Sequence, residues 1–276
     1  MRVGESMVSS LPETRVVRLE RQGWRLFATI DDPSTRNAMT EDLVADFDAI
    51  LAATRADRSL RALILQGANG AFCAGADLRR ARRNQGAKAG ADPVVEANRR
   101  GGALFAAFDA HPMVTIAVVD GPAFGGGFGL ACCADFVIAG PRARFALSET
   151  GLGLPPAQIA PFVIARLGLR RARQLALSGQ RLDGKAALAV GLADYVAADD
   201  SEITSHLSTL FVELGRIAPG ANAVTKALLR EAARADLESY RLRAAEVFRD
   251  CLQGPEGKEG LQAFAEKRRP RWAEQS

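Results

Sequence analysis

Tyrosine and tryptophan are scarce in this sequence, two of each, and histidine is as rare at two. So few flat rings leave base-stacking platforms poorly supplied, which argues against a nucleic-acid reader. His111 and His206 stand in no ligand-like spacing, so no metal site is expected. The four cysteines, Cys73, Cys132, Cys133 and Cys251, form no C-x-x-C pair. Cys132 and Cys133 sit side by side in an apolar run, where cysteine packs as a small hydrophobe, and a reducing, cytoplasmic compartment is the expectation. No apolar stretch has the length of a membrane span, and the opening MRVGESMVSSLPETR lacks a signal core, so no membrane partner is expected. Residues 1–14 read as a loose tail, with Met7 as an alternative start.

What is present suits a protein with a full core. The chain has 276 residues, 48% hydrophobic and 25% charged, with a formal net charge of +4. That mild cationic excess fits an anionic ligand without demanding nucleic acid. WRLFATI (24–30), ALILQG (62–67), VTIAVVDG (114–121) and FVIAG (136–140) read as strands. Between the first two, Thr40 can cap a helix whose apolar positions Leu43, Phe47, Ile50 and Leu51 share one face. This β-α-β order, with strands that stay apolar on both faces, predicts a parallel sheet covered by helices. Beyond about residue 158 helix follows helix: one ends on Gly179, and another opens on Asp183 and stops at Gly191. Residues 201–276 read as a charged helical arm, and 79–92 as a basic loop.

The chemistry-bearing stretches are two glycine turns, each following a strand: GANGAFCAGADL from 67 and GPAFGGGFGL from 121. Each can offer bare backbone N–H groups at a strand's carboxyl end, and the second does so at a helix N-terminus, where negative charge is favoured. Two converging donors make an oxyanion hole. Read singly, each could equally be a tight turn and no more. Neither phosphate-loop spacing, G-x-G-x-x-G or G-x-x-x-x-G-K-[ST], occurs in a strand-to-helix context here.

Taken together, RNAM (36–39), AFCAGADL (71–78), VDGPAFGGGFGLACCADFVIA (119–139), ARFALSETGLGLPP (143–156), SGQRLDGKAALAVGLADYV (178–196) and FAEKRRPRW (264–272) resemble the crotonase superfamily, the enoyl-CoA hydratase/isomerase family. The resemblance implies an α/β fold, a crotonase-like spiral of ββα units over 15–200, with a helical trimerisation region over 201–276. It implies an acyl-CoA thioester as substrate, no separate cofactor, and a homotrimer or dimer of trimers. Ala74 and Gly126 match the two amide donors that hold the thioester oxygen. Arg36, Ala38, Ala76, Asp77 and Leu78 match the lining of the nucleotide end, Gly125 and Gly129 border the acyl group, and Lys267 matches a basic tail position that reaches phosphate, sometimes across a subunit boundary.

Glu149 matches the family's proton-transferring glutamate, and its apolar neighbours Leu147, Leu152 and Leu154 are expected to raise its pKa. A second glutamate, usual in hydratases, is missing: the position twenty residues before Glu149 is Gly129. GLPPAQIAPFVIARLG (153–168) resembles the branch that hydrates glutaconyl-type thioesters (methylglutaconyl- and isohexenylglutaconyl-CoA), whose substrates bring a carboxylate of their own. Gln158 is a candidate to orient water, or a helix-capping or surface amide. The leading expectation is a 2-enoyl-CoA hydratase. A Δ3,Δ2-enoyl-CoA isomerase, which moves one proton with one carboxylate, stands second, and a non-catalytic acyl-CoA or RNA binder third. Asp120, Asp77 and Asp135 read as turn or hydrogen-bonding residues, and Ser148 lacks the G-x-S-x-G elbow of a serine hydrolase.

Overall fold

The computed structural model describes residues 11–77 and 92–273. Leu78, the basic stretch after it and the first ten residues lie outside the described residues. The chain begins with an antiparallel hairpin, β1 (Val17–Gln22) and β2 (Arg25–Ile30). β3 (Ala62–Gly67), β4 (Val114–Val119), β6 (Phe136–Ala139) and β8 (Tyr195–Val196) then add in parallel, giving a sheet of order β1-β2-β3-β4-β6-β8. β3 shows why a run with no polar face makes a central strand: Leu63 and Leu65 enter the main core while Ile64 packs into a second cluster. Both faces are therefore covered, as a parallel sheet requires.

A thinner second layer carries the site. β5 (Pro122–Phe124) pairs in parallel with β7 (Arg144–Ala146), and single bridges extend the pair, Cys73 to Ala123, Met39 to Ala76 and Phe145 to Leu182. After each of β2, β3, β4 and β6 the chain makes one short segment in this layer. The ββα spiral is read directly from that order.

Helices close the repeats. α1 (Glu41–Thr54) starts where the Thr40 side chain accepts the Leu43 N–H. α2 (Pro93–Asp109) is capped by Asp92, and α3 (Gly126–Cys133) follows β5. α4 (Ala160–Ser178) ends at Gly179, and α5 (Gly184–Ala189) opens under the Asp183 carboxylate. α6 (Asp200–Gly215) lays Ile203, Leu207, Leu210 and Phe211 on the back of the sheet. This helix, expected within the arm, thus belongs to the core. The remaining arm, α7 (Pro219–Ala232), α8 (Leu237–Gln253) and α9 (Pro255–Ala265), joins at the starting ends of the parallel strands. There Lys226 Nζ meets the Asp135 carboxylate at 2.6 Å and Arg230 Nε meets Asp109 at 2.7 Å. No helix among the described residues is long and apolar enough to cross a membrane.

One acid ties the first strand to the fold. Asp46, on α1 and 4% exposed, accepts the Arg15, Val16 and Val17 N–H groups at 2.7–3.1 Å. Asp46→Ala strands those donors, so equilibrium urea unfolding is expected to show a loss of about 2 kcal/mol or more; an unchanged midpoint would remove Asp46 from the account.

Candidate active site

The site is built where β3 and β4 end. Leaving β3, the chain turns through Asn69 and Gly70 into the Cys73–Asp77 segment, and leaving β4 it turns into β5 and the triple glycine. The two turns are joined by main chain alone. The Phe72 and Cys73 N–H groups donate to the Pro122 carbonyl at 3.1 and 2.9 Å, and the Phe124 N–H donates to the Cys73 carbonyl at 3.0 Å.

Each glycine of the triple has its own reason. Gly125, with φ 48° and ψ −110°, redirects the chain into α3 through backbone space that side chains rarely adopt. A Cβ at Gly126 would stand 2.9 Å from Met39 Cγ, and one at Gly127 would overlap the Cys73 carbonyl. Gly75, on the facing turn, would meet the Phe124 carbonyl at 2.9 Å. Protein packing, as much as room for a substrate, therefore demands these glycines. The Gly126 N–H, in the first turn of α3, meets no acceptor among the described residues.

Its counterpart is engaged. The Ala74 N–H donates to the Arg36 carbonyl at 3.2 Å, the long end of the usual range. Arg36 and Asn37 both take left-handed backbone, φ 59° and 61°. Asn37, fully buried, fixes them: its Nδ2 donates to the Ala68 and Ala71 carbonyls at 3.1 and 2.7 Å, and its Oδ1 accepts the Asp32 N–H at 2.8 Å. Asn37 carries one signal in the sequence, an asparagine at a position needing positive φ, and its partners lie too far along the chain for a local pattern to reveal its role. Met39 bridges to Ala76, so Arg36, Ala38, Ala74, Ala76 and Asp77 come together along two adjacent segments. Arg36 and Ala76 are exposed, Ala38 is buried and Asp77 is half-buried.

Glu149 completes the group. It opens a 3-10 turn (Glu149–Leu152) just after β7, whose pairing with β5 sets Ala146 beside Phe124, and the Gly125 N–H donates to the Ala146 carbonyl at 3.0 Å. Its carboxylate stands over Gly125, with Oε1 3.0 Å from where a Cβ would sit. Oε2 is buried and has no hydrogen-bond partner among the described residues. Burial raises the Glu149 pKa above the ordinary glutamate value. The expected cause is corrected in part: Leu147 is buried, but Leu152 and Leu154 are 56% and 48% exposed.

Other expectations separate here. A Cβ at Gly129 would meet Ile159 Cβ at 3.0 Å and Phe105 Cε1 at 3.2 Å. The place of the missing second glutamate is filled by hydrocarbon, and Gly129 borders the site through what packs on it. Gln158 lies against Gly102 and donates to Asn98 Oδ1 at 2.8 Å, so its amide nitrogen is engaged with α2. Asp120 accepts the Arg142 N–H at 2.9 Å and Asp135 pairs with Lys226, both structural roles. Lys267 is exposed just past α9. The segment after it anchors at the other end of the sheet, where Arg61 donates to the Trp272 carbonyl at 2.9 Å. Within one chain Lys267 is not brought to the glycine turns.

A bare amide at a helix start, a second amide in an exchangeable bond and an unpartnered carboxyl beside them can stabilise a developing oxyanion and move a proton. Residues 26–275 match the family described as Enoyl-CoA hydratase/isomerase. Enoyl-CoA hydratase AFT6-1 of Alternaria alternata is 32% identical over 245 residues, 87% of this chain and 78% of that one. Among solved structures, Pseudomonas aeruginosa AtuE superposes with a TM-score of 0.90 at 44% identity, covering 94% of this chain and 100% of that chain. An enoyl-CoA hydratase/isomerase from Marinobacter aquaeolei gives 0.89 at 42%, covering 94% and 99%.

Two outcomes are expected from this geometry. Gly129→Glu forces a carboxylate against Ile159 and Phe105, so it is expected to lose about 1–3 kcal/mol or more in thermal or urea unfolding and to gain no activity; a stable, faster variant would contradict the packing described. Glu149 has a raised native pKa, so its charge opposes folding once pH rises through that value. Glu149→Gln is therefore expected to be more stable than wild type at neutral pH, the gap closing at acid pH where Glu149 is protonated in both states. A gap independent of pH would count against a desolvated carboxyl.

Proposed function

The chain belongs to the enoyl-CoA hydratase/isomerase family, and we propose that it adds water across the double bond of a 2-enoyl-CoA thioester. It is an acyl-CoA enzyme of the crotonase type. The observation that carries the hydratase reading is the Glu149 carboxyl, standing over Gly125 with one oxygen buried and unpartnered.

In this reading Glu149, ionised, takes a proton from water as the water oxygen bonds to C3. The C2–C3 π electrons move toward the thioester, whose oxygen becomes an enolate. The Gly126 amide receives that oxygen, and the Ala74 amide joins it by exchanging its Arg36 carbonyl. Each such donor is worth about 3–4 kcal/mol in the transition state. The protonated Glu149 then delivers its proton to C2, so water is consumed and the carboxylate restored. One acid performs both transfers in turn, because hydrocarbon fills the Gly129 face. A glutaconyl-type substrate, with a carboxylate of its own, suits a site with one enzyme acid.

That same filled face favours a second reading, Δ3,Δ2-enoyl-CoA isomerisation. Glu149 would take a proton from C2 of a 3-enoyl thioester and return it to C4, with the same enolate between. For the coenzyme we propose that Arg36, Ala38, Ala76 and Asp77 line the nucleotide end. Lys267 fits best as a phosphate contact lent by a neighbouring subunit of a trimer or dimer of trimers. Exposed Leu229, Leu242, Phe248 and Phe264 on the arm suit burial in such an assembly.

Crotonyl-, 3-methylglutaconyl- and 3-hexenoyl-CoA followed by absorbance and product analysis separate the readings. Hydration of 2-enoyl substrates, fastest for the glutaconyl ester, is expected; conversion of 3-hexenoyl-CoA alone would move the assignment to the isomerase. Glu149→Gln is expected to lower kcat/KM by about 10²–10⁴. In the wild type kcat/KM should fall on the acid side of the raised Glu149 pKa, since the base form starts the reaction. A flat acid limb or an active Glu149→Gln enzyme would end the proton-carrier role.

A further inference from the structure

A second built cavity lies at the other end of the sheet. A cleft of about 520 Å³ opens between the start of β2, the end of α6 and the last described turn of the chain. Arg25, Arg216 and Arg269 line it, with Phe211, Val212 and Pro270, and none of the described residues of its wall is acidic. Among the described residues none of the three guanidinium groups has a carboxylate partner, whereas Arg166, Arg230 and Arg268 each meet an acid at 2.6–2.7 Å. Arg25 is the most constrained. Its guanidinium lies 4.4 Å from the Trp24 ring centroid and 4.6 Å from that of Phe211, and its Nε is buried with no hydrogen-bond partner among the described residues.

Burying a guanidinium donor without an acceptor costs free energy, and stacking on two rings compensates only its faces. The in-plane donors still call for an anion. Three unneutralised guanidinium groups around one cleft raise its potential, and arginine forks match the oxygen spacing of phosphate. The volume is that of a small-molecule site, far more than a lone phosphate fills, and its apolar wall offers surface to an organic portion. Arg25 is paired in register with Ala62, the first residue of β3, while the glycine turns follow the last. The cleft therefore stands roughly 20 Å, one strand length, from Glu149.

We propose that this cleft binds a phosphate-bearing small molecule, with Arg25, Arg216 and Arg269 on the phosphate and Phe211 and Val212 against its organic part. The proposal is independent of which enoyl-CoA reaction the enzyme performs. Both tryptophans of the chain report on the cleft: Trp24 stacks on Arg25, and the Trp272 indole donates to the Arg216 carbonyl at 3.2 Å. Intrinsic fluorescence, backed by calorimetry, should therefore follow titration of the full-length protein with pyrophosphate and, separately, phenyl phosphate. Saturable binding of either probe, weakened at least tenfold in the Arg216→Gln/Arg269→Gln double variant and by added salt, supports the site. The phenyl phosphate arm tells an organic ester from an inorganic anion. Turnover of the best enoyl-CoA substrate by the double variant is expected to match wild type, which separates this site from the catalytic one. Absence of saturation, unchanged affinity in the double variant or displacement of the probe by excess free CoA would overturn the proposal. So would a change in oligomeric mass by light scattering in that variant, which would make the cleft a subunit contact.

Discussion

Two loops from different strands touch through bare main chain, and everything chemical in this molecule follows from that contact. The Phe124 N–H reaches the Cys73 carbonyl at 3.0 Å, while Gly75 and Gly127 face carbonyls that leave no space for a side chain. Such an approach forces glycine on both partners, despite its entropic cost. It brings the start of α3 beside the Ala74 segment, and the pairing of β5 with β7 adds Glu149 from a third loop. The thin second layer is therefore the scaffold of the site, and the large sheet is what holds that layer in register.

The electrostatics of the site are those of a half-buried carboxyl with one oxygen left unsatisfied by the described residues. Water or another protein donor on Glu149 Oε2 would stabilise its charge; neither a donor side chain nor a backbone N–H among the described residues supplies one. Burial then pushes its pKa up, toward the range in which a single group can both accept and return a proton. The amide pair is asymmetric. Among the described residues the Gly126 N–H meets no acceptor, whereas Ala74 is lent to Arg36, whose left-handed backbone is pinned by the buried Asn37. An oxygen arriving between the two turns competes with that carbonyl for the Ala74 proton, so substrate binding and the geometry of the RNAM segment are coupled.

Much of this was legible in the sequence, and the exceptions share a cause. β3 and β4 announce themselves because a strand covered on both faces is apolar at nearly every position, with Gln66 and Thr115 the exceptions, and Thr40, Asp183 and Gly179 mark helix ends by local chemistry alone. Glu149 and the glycine turns were found by motif. β1 was not, since VRLERQ is an edge strand with polar outward residues, and β8 is too short at two residues to leave a pattern. Asn37 and Asp46 act on partners about 30 residues away, which no local window reveals. The filling of the Gly129 face by Ile159 depends on how α4 returns to the turn, a tertiary fact. The stance of Glu149 over Gly125 is likewise set by packing rather than by any local pattern.

The central claim is that a half-buried acid, one oxygen of which meets no donor among the described residues, generates beside a bare amide an enolate at C2 of a thioester. Exchange of the C2 protons of butyryl-CoA in deuterated water, followed by proton NMR, reads that step without any double bond to hydrate. The account predicts exchange catalysed by wild type and abolished in a folded Glu149→Gln variant that still binds the thioester. Exchange at equal rates in both proteins would contradict it.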